Sequence, residues 1–292
     1  MKLIKFLKNI IRNFLLFPLH LFNRLSIIYS KFLSIVDPNG TECYWEELSQ
    51  KQIDKRCNSR LRLSNEVKHK SNRFDFTKKI NFYTPTKIAS WRAKTLFSKE
   101  LDTLEWIDEH GSEDKILFDI GANIGVYSLY YAQYVGGNVF AFEPSFRNLD
   151  LLVRNINLNN LKDRISVISN PIYDKELINF FSHGYLCAGE ASAAYGEEKM
   201  DNNFQTLSLT LDYLVQKNII PSPNLIKIDV DGNEVEILKG AENTILAKDC
   251  KTILIETRKN SNEEVKAFLS KSNYKKINNS GPKRRNQIWI KK

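Results

Sequence analysis

The run KILFDIGANIGVYSLYYAQYVGGNVFAFEP (115–144) decides how the rest of the chain is read. Within it, DIGANIG (119–125) joins an apolar strand, ILFDI (116–120), to a segment with helical spacing over 124–135. A second strand, NVFAFEP (138–144), follows and carries an acid, Glu143, at its end. Strand, glycine turn, helix and strand in this order make up a nucleotide-binding βαβ unit. The turn lacks what phosphates require. A dinucleotide fingerprint read from Gly121 needs glycine where Asn123 and Val126 stand, and a P-loop needs a lysine that is not there.

Asp119, ending the first strand, would repel phosphate and suits a cationic ligand. S-adenosylmethionine carries an ammonium and a sulfonium, which Asp119 can serve directly or by way of the turn. Gly121 and Gly125 let the backbone come close without a side chain in the way, and Asn123 lies between them. Glu143 follows Gly125 by eighteen residues, where its two oxygens can accept both ribose hydroxyls. Either acid alone reads equally well as a turn cap or a solvated loop residue. Their common register along one βαβ unit favours a phosphate-free sulfonium cofactor.

Outward from this unit the alternation continues. FRNLDLLVRNINLNN has a period near 3.6, ISVISN (165–170) reads as a third strand and LIKIDV (225–230) as a fourth. Helical NEVEILKGAENTIL (233–246), strand TILIET (252–257) and helical EEVKAFLSKS (263–272) come next. YKKIN (274–278) and NQIWIKK (286–292) close the chain as a hairpin around SGPKRR. Short apolar strands alternating with helices predict a mostly parallel sheet covered on both faces. A terminal hairpin suits the doubly wound sheet of small-molecule methyltransferases, whose last strand runs antiparallel. Ligands of such sheets lie outside the carboxyl ends of the strands at the switch point, which singles out 119–125, Glu143, Asn170 and Asp229.

The chain has 292 residues and a formal charge of +9, unevenly placed. Residues 1–36 carry Lys2, Lys5, Lys8, Arg12, Arg24 and Lys31 with no acid, so +6 belongs to them and +3 to the remainder. That remainder gives no reason to expect a nucleic-acid partner. In MKLIKFLKNIIRNFLLFPLHLFNRLSIIYSKFL (1–33) the spacing predicts a basic amphipathic helix, interrupted at Pro18. Its longest uncharged run, between Arg12 and Arg24, is eleven residues, short of the roughly 20 needed to span a bilayer. No small-residue cleavage pattern follows. The expectation is a helix lying in the membrane interface at the cytoplasmic face; the alternative is a helix packed on its own domain. A connecting region over 37–80, with CYWEELSQKQIDKRC helical, leads to the main domain at 81–292. Cys43, Cys57, Cys187 and Cys250 form no metal-ligand spacing and suit a reducing compartment.

Four stretches carry a resemblance: SWRAKTLFSKELDTLEWID (90–108), LFDIGANIGVYSLYYA (117–132), VFAFEPSFRNLDLLVRNINLN (139–159), and LTLDYL with LIKIDVDGNEVEILKGAENTI (209–245). Together they resemble the FkbM-type S-adenosylmethionine-dependent methyltransferases. The resemblance implies a Rossmann-like class I methyltransferase fold with a seven-stranded sheet, and O-methylation of sugars or other hydroxyl-bearing metabolites. One departure is SKELD, where members often have proline after the glutamate, so the assignment of Glu100 is affected.

Methyl transfer is an in-line displacement, and a hydroxyl acceptor benefits from a base. KIDVDGNE puts Asp229 at the carboxyl end of the fourth strand, with Asp231 and Glu234 at the entrance to the next helix. Strand alternation sets Lys227 and Asp229 on one face. One carboxylate accepts the substrate proton, or Asp229, Asp231 and Glu234 together hold a divalent cation against two substrate oxygens. The metal reading is the less favoured, and Asp231 and Glu234 also stand where acids cap a helix. His183, in the long segment between the third and fourth strands, is the other candidate base, and the resemblance puts nearby SAAYG beside substrate or cofactor. Trp91 and Arg92 are expected to close the pocket from the N-terminal side. The expected acceptor is a hydroxyl of a sugar, glycan or glycolipid precursor. Alternatives are a soluble secondary metabolite with an O or N acceptor, an inactive membrane-associated scaffold and, more remotely, a dinucleotide oxidoreductase.

Overall fold

The computed structural model describes residues 79–183, 188–191, 193–196, 202–258, 260–277 and 285–292. The expectations for residues 1–36, and for 37–80 as far as residue 78, lie outside them. The described chain opens with helices α1 (Lys87–Lys94) and α2 (Leu101–His110). The βαβ unit follows as β1 (Ile116–Ile120), α3 (Val126–Tyr130), a π-helical turn (Tyr131–Val135) and β2 (Asn138–Phe142). Helix α4 (Phe146–Leu158) leads to β3 (Ile165–Ile168), and strands β4 (Ile178–His183), β5 (Ala193–Gly196) and β6 (Asn202–Leu207) come next. The last third is α5 (Leu211–Gln216), β7 (Leu225–Ile228), α6 (Glu234–Lys239), α7 (Glu242–Leu246), β8 (Thr252–Glu256), α8 (Asn262–Lys271), β9 (Tyr274–Ile277) and β10 (Asn286–Lys291).

Seven of these strands form one sheet in the order β3-β2-β1-β7-β8-β10-β9. Its first five strands are parallel, and β10 runs antiparallel to both β8 and β9. The expected sheet and C-terminal hairpin are both present. The chain winds from β1 to β3 on one side and resumes at β7 on the other, so the switch point lies between β1 and β7.

Alternation along each buried strand divides the core in two. Leu117, Val139, Ala141, Ile165, Leu225 and Leu254 face one layer with Leu104, Trp106 and Ile107 of α2, Leu129 of α3 and Leu151, Leu152 and Ile156 of α4. Phe118, Ile120, Phe142, Ile226, Ile228, Ile253 and Ile255 face the other with Leu211, Ile237, Ile245, Val265 and Leu269. Near-continuous apolar runs are what a strand covered on both faces requires.

Three local expectations change. The helix over 124–135 is α in its first half only; its second half widens to π geometry and stops at Gly136, where φ is +86°. The helix over 233–246 is two short helices broken near Gly240, where an added Cβ would sit 2.0 Å from the Tyr173 carbonyl oxygen. The segment after β3 is not an open loop. It holds a three-stranded antiparallel sheet ordered β5-β4-β6, with Phe181 paired to both Tyr195 and Phe204. Its outer strand, NNFQTL, is largely exposed and polar, so no apolar run marks it in the sequence.

Candidate active site

The glycine turn leaves β1 directly under the end of β7. Gly121 has φ +80°, and a Cβ there would sit 2.1 Å from the Asp229 carbonyl oxygen, so no larger residue fits. The N–H groups of Gly121 and Ala122 both donate to the Phe142 carbonyl at 3.0 Å, which ties the turn to the end of β2. Asn123 is left-handed at φ 52°, a conformation asparagine tolerates better than most residues. Its side-chain nitrogen donates to the Glu190 carbonyl at 2.8 Å. Gly125, at φ +88°, opens α3, and a Cβ would press on Leu152 at 2.6 Å.

Behind the turn runs a row of charges that sheet register creates. Asp119 and Lys227 are direct cross-strand partners of β1 and β7, so their side chains share a face. Lys227 Nζ lies 3.3 Å from Asp119 Oδ1 and 3.2 Å from Asp229 Oδ2. It also sits 4.9 Å from the centre of the Tyr127 ring. Burial alone would discharge this ammonium, but the charges of Asp229, Asp119 and Glu100 outweigh it and raise the Lys227 pKa. Asp119 is fully buried and accepts a 2.6 Å hydrogen bond from Ser128. It therefore braces the turn from within and presents no atom to a ligand.

Glu143 lies just past β2 and is 5% exposed. Its Oε2 accepts from the Asn123 N–H at 2.7 Å and its Oε1 from the Ser145 N–H at 2.9 Å. The Asn148 side chain adds a third hydrogen bond, which leaves about one acceptor site of the carboxylate for a ligand hydroxyl. Burial pushes its carboxyl up to about 7, against the pull of the Ser145 and Asn123 amides, Asn148 and Arg92. Together Gly121, Asn123, Glu143, Asn170, Lys227, Asp229 and Asp231 line a cleft with Arg92, Glu100 and Tyr127. It encloses about 1130 Å³ of empty space, its open mouth included. Asn170 is anchored at the rim, donating to the Leu207 carbonyl at 2.9 Å.

The sheet brings Asp229 beside a residue that sequence reasoning missed. Ile228 pairs with Ile255, so Glu256, ending β8, lies next to Asp229, close enough for a protonated Glu256 to donate to it. Burial works against Asp229 ionising, but Lys227 and the Glu256 hydrogen bond hold its pKa below the usual range. Burial and the Asp229 charge push Glu256 up to about 7, with Arg285 pulling the other way. Asp231 accepts from Arg258 at 2.7 Å at the cleft edge, and burial raises its pKa despite that pairing. Glu234 is 1% exposed at the start of α6 and does not line the cleft; burial raises its pKa, while nearby Ser261, Arg258 and turn amides ease the cost. Asp229, Asp231 and Glu234 are thus not gathered on one point, and no cluster of three potential ligands occurs among the described residues.

His183 is placed elsewhere. It is 5% exposed, within 4.9–6.1 Å of the rings of Phe181, Phe146 and Phe204, and only Phe181 of this group reaches the cleft. Burial, then the Arg147 charge, lowers its pKa. Of the N-terminal pair, Arg92 lines the cleft, whereas Trp91 is 47% exposed and does not.

Residues 119–276, more than half of the chain, match the methyltransferase FkbM domain. The chain belongs to the FkbM methyltransferase family. One relative, the hexuronic acid methyltransferase AglP of Haloferax volcanii, is 30% identical over 53% of this chain and 61% of that protein. Another, Methyltransferase 1 of Beauveria bassiana, is 26% identical over 45% of this chain and 60% of that protein. The chain spans about three fifths of the length of these relatives. A solved FkbM methyltransferase from Methylobacillus flagellatus is 18% identical with a TM-score of 0.43, over 61% of this chain and 44% of that one.

The FkbM-family cleft fits the cofactor of this methyltransferase class. S-adenosylmethionine needs a hydroxyl acceptor at the second strand, a close backbone turn and no phosphate receptor. Glu143, with acceptor capacity left beyond its three hydrogen bonds, and Gly121, with no room for a Cβ, meet the first two needs.

Proposed function

We propose that this chain is an O-methyltransferase that methylates a hydroxyl of a sugar, glycan or glycolipid precursor. The observation that carries the reading is the placement of Glu143 and Asp229 in one cleft around a glycine turn, with Glu256 beside Asp229 at the end of β8. The bound cofactor supplies an electrophilic methyl group; the chain supplies position and a destination for the proton. Asp229, kept ionised by Lys227, accepts the hydrogen bond of the acceptor hydroxyl and aligns its oxygen. A carboxylate held at low pKa is a weak base. When both carboxyls are ionised, the pair takes up its first proton at about 7, on Glu256, so the hydroxyl proton enters through Asp229 and rests on Glu256, which then donates a hydrogen bond back to Asp229. The sugar acceptor is supported by the name of the Haloferax relative.

The basic segment 1–36 is proposed to rest peripherally on the cytoplasmic membrane face, where a glycolipid precursor would be met. No helix among the described residues is long and apolar enough to cross a membrane. Liposome flotation with and without the segment tests this, and equal flotation overturns it.

For the chemistry, the full chain is incubated with isotopically methyl-labelled cofactor and a panel of uronic-acid and neutral oligosaccharides. Label on a sugar oxygen, lost by about a hundredfold in Asp229→Asn, is the expected result. Label on an amide nitrogen, or no binding of S-adenosylhomocysteine at all, overturns the reading.

A further inference from the structure

The cofactor reading sets the ribose at Glu143 and leaves the far end of the cofactor without a partner. The two directions away from Glu143 differ in chemistry. Toward β3 the cleft is lined by Pro171, Ile172, Phe142 and Phe181, an uncharged wall suited to a purine ring. Toward β7 it is lined by Glu100, Tyr127, Lys227 and Asp229, each in contact with the next, and Arg92 and Lys99 of the N-terminal segment join the charged part of the wall. An amino-acid tail carries one carboxylate and one ammonium, and only the second direction offers both signs of charge.

Three cations compete there for the carboxylate. Lys227 is 1% exposed and already shared by Asp119 and Asp229. Lys99 lies at the surface, paired with its neighbour Glu100 and 5.3 Å from the centre of the Trp91 ring. Arg92 differs from both. Its Nε donates to the Gly189 carbonyl at 2.5 Å, and neither Nη makes a hydrogen bond among the described residues. It lines the same cleft as Glu143 and Asp229, and its charge acts on both.

The side chain is held in place before any ligand arrives. Thr86 caps α1 and donates to the Ala188 carbonyl at 2.6 Å. The Gly189 N–H donates to Asn148 Oδ1 at 2.7 Å, and a Cβ on Gly189 would meet the Ala89 nitrogen at 2.8 Å. Helix α1 is therefore stitched through this short strap to α4 and to Asn123, and the guanidinium is fixed over the cleft. A fixed planar fork with two Nη groups unengaged suits bidentate binding of a carboxylate. Glu100 stands just ahead of α2, half-buried, with Oε2 accepting from the Tyr127 hydroxyl at 2.6 Å.

We infer that Arg92 receives the carboxylate of the cofactor's amino-acid end and Glu100 faces its ammonium, so that the two helices ahead of the matched domain complete the cofactor site. This rests on the cofactor reading. It makes the segment 86–110 a part of the site and not merely a cover for it.

Two nucleosides separate the inference from its foundation. S-adenosylhomocysteine keeps the amino-acid end, and 5′-methylthioadenosine lacks it. Each is titrated calorimetrically into the full chain and its variants Arg92→Ala, Arg92→Gln, which keeps an N–H for the Gly189 carbonyl, and Glu100→Gln. The expected result is a loss of about 10- to 100-fold for S-adenosylhomocysteine in the Arg92 variants and about tenfold in Glu100→Gln. Methylthioadenosine affinity should stay within about twofold throughout, which also reports that the variants fold. Equal losses for both nucleosides, or none for either, overturn the inference while the cofactor reading stands. A wild-type chain that binds neither nucleoside overturns both.

Discussion

Glu143 and Asp229 both follow strand ends in the same cleft, and the chain surrounds them in opposite ways. Glu143 has two main-chain N–H groups and no cation within salt-bridge reach among the described residues, so burial dominates and its carboxyl rises to about 7. Asp229 has Lys227 at 3.2 Å, and its pKa falls although burial opposes this. A carboxylate in the first setting is an acceptor waiting for hydroxyl donors. In the second it is a fixed charge that orients a partner, and its neighbour Glu256 takes over the titration. The lesson is that a carboxyl group at equivalent strand ends acquires its role from the groups packed beside it.

The largest effect is expected where the fixed charge is maintained. Lys227→Met leaves Asp119 fully buried with only the Ser128 hydroxyl, and should lower stability by about 3–5 kcal/mol in urea titration. Pairing it with Asp119→Asn should recover much of the loss; a neutral single variant would show that the charge row is not what holds the β7 side together.

At the other end, Glu143→Ala should cost about a hundredfold in S-adenosylhomocysteine affinity, roughly 2.7 kcal/mol, with the fold intact by circular dichroism. The two acids should then separate by pH. Ribose hydroxyls donate to an ionised Glu143, so affinity should fall about tenfold per unit below pH 7 and level off above it. An affinity independent of pH from 5 to 8 would contradict this.

Stability of the unliganded chain should run the other way. Glu143 and Glu256 hold their protons longer in the folded state than in the unfolded one. Their contribution is full below the unfolded value near 4.5 and drains away as pH rises through about 7. Glu143→Gln should flatten part of that decline in thermal melts.

The smallest effect is expected at the cleft edge. Asp231 and Arg258 form an ion pair with side chains 30% and 54% exposed, so Arg258→Ala should change stability by less than about 1 kcal/mol. A larger loss would mean that the edge is as organised as the two ends.

Much of this architecture could be read in the chain itself. The strands ILFDI, NVFAF, ISVI, LIKI and TILIE are short apolar runs because both faces of a parallel sheet are covered, and the glycine turn shows in DIGANIG because no side chain fits beneath the end of β7. The order of turn, Glu143 and Asp229 along the chain was likewise enough to place them at one edge. The β5-β4-β6 sheet left no such mark, since antiparallel pairing of half-exposed strands needs no apolar run. Cross-strand register, invisible in one dimension, buried Asp119 against Lys227 and set Glu256 beside Asp229. Burial among rings took His183 out of the cleft, and of the expected pair Trp91 and Arg92 only Arg92, held by the Gly189 carbonyl, lines it. Sequence thus determined which elements form and which edge of the sheet carries the chemistry, because those follow from local periodicity and backbone freedom. Tertiary structure alone decided which carboxylate is shared and which is sealed, because those depend on the few ångströms between neighbouring strands.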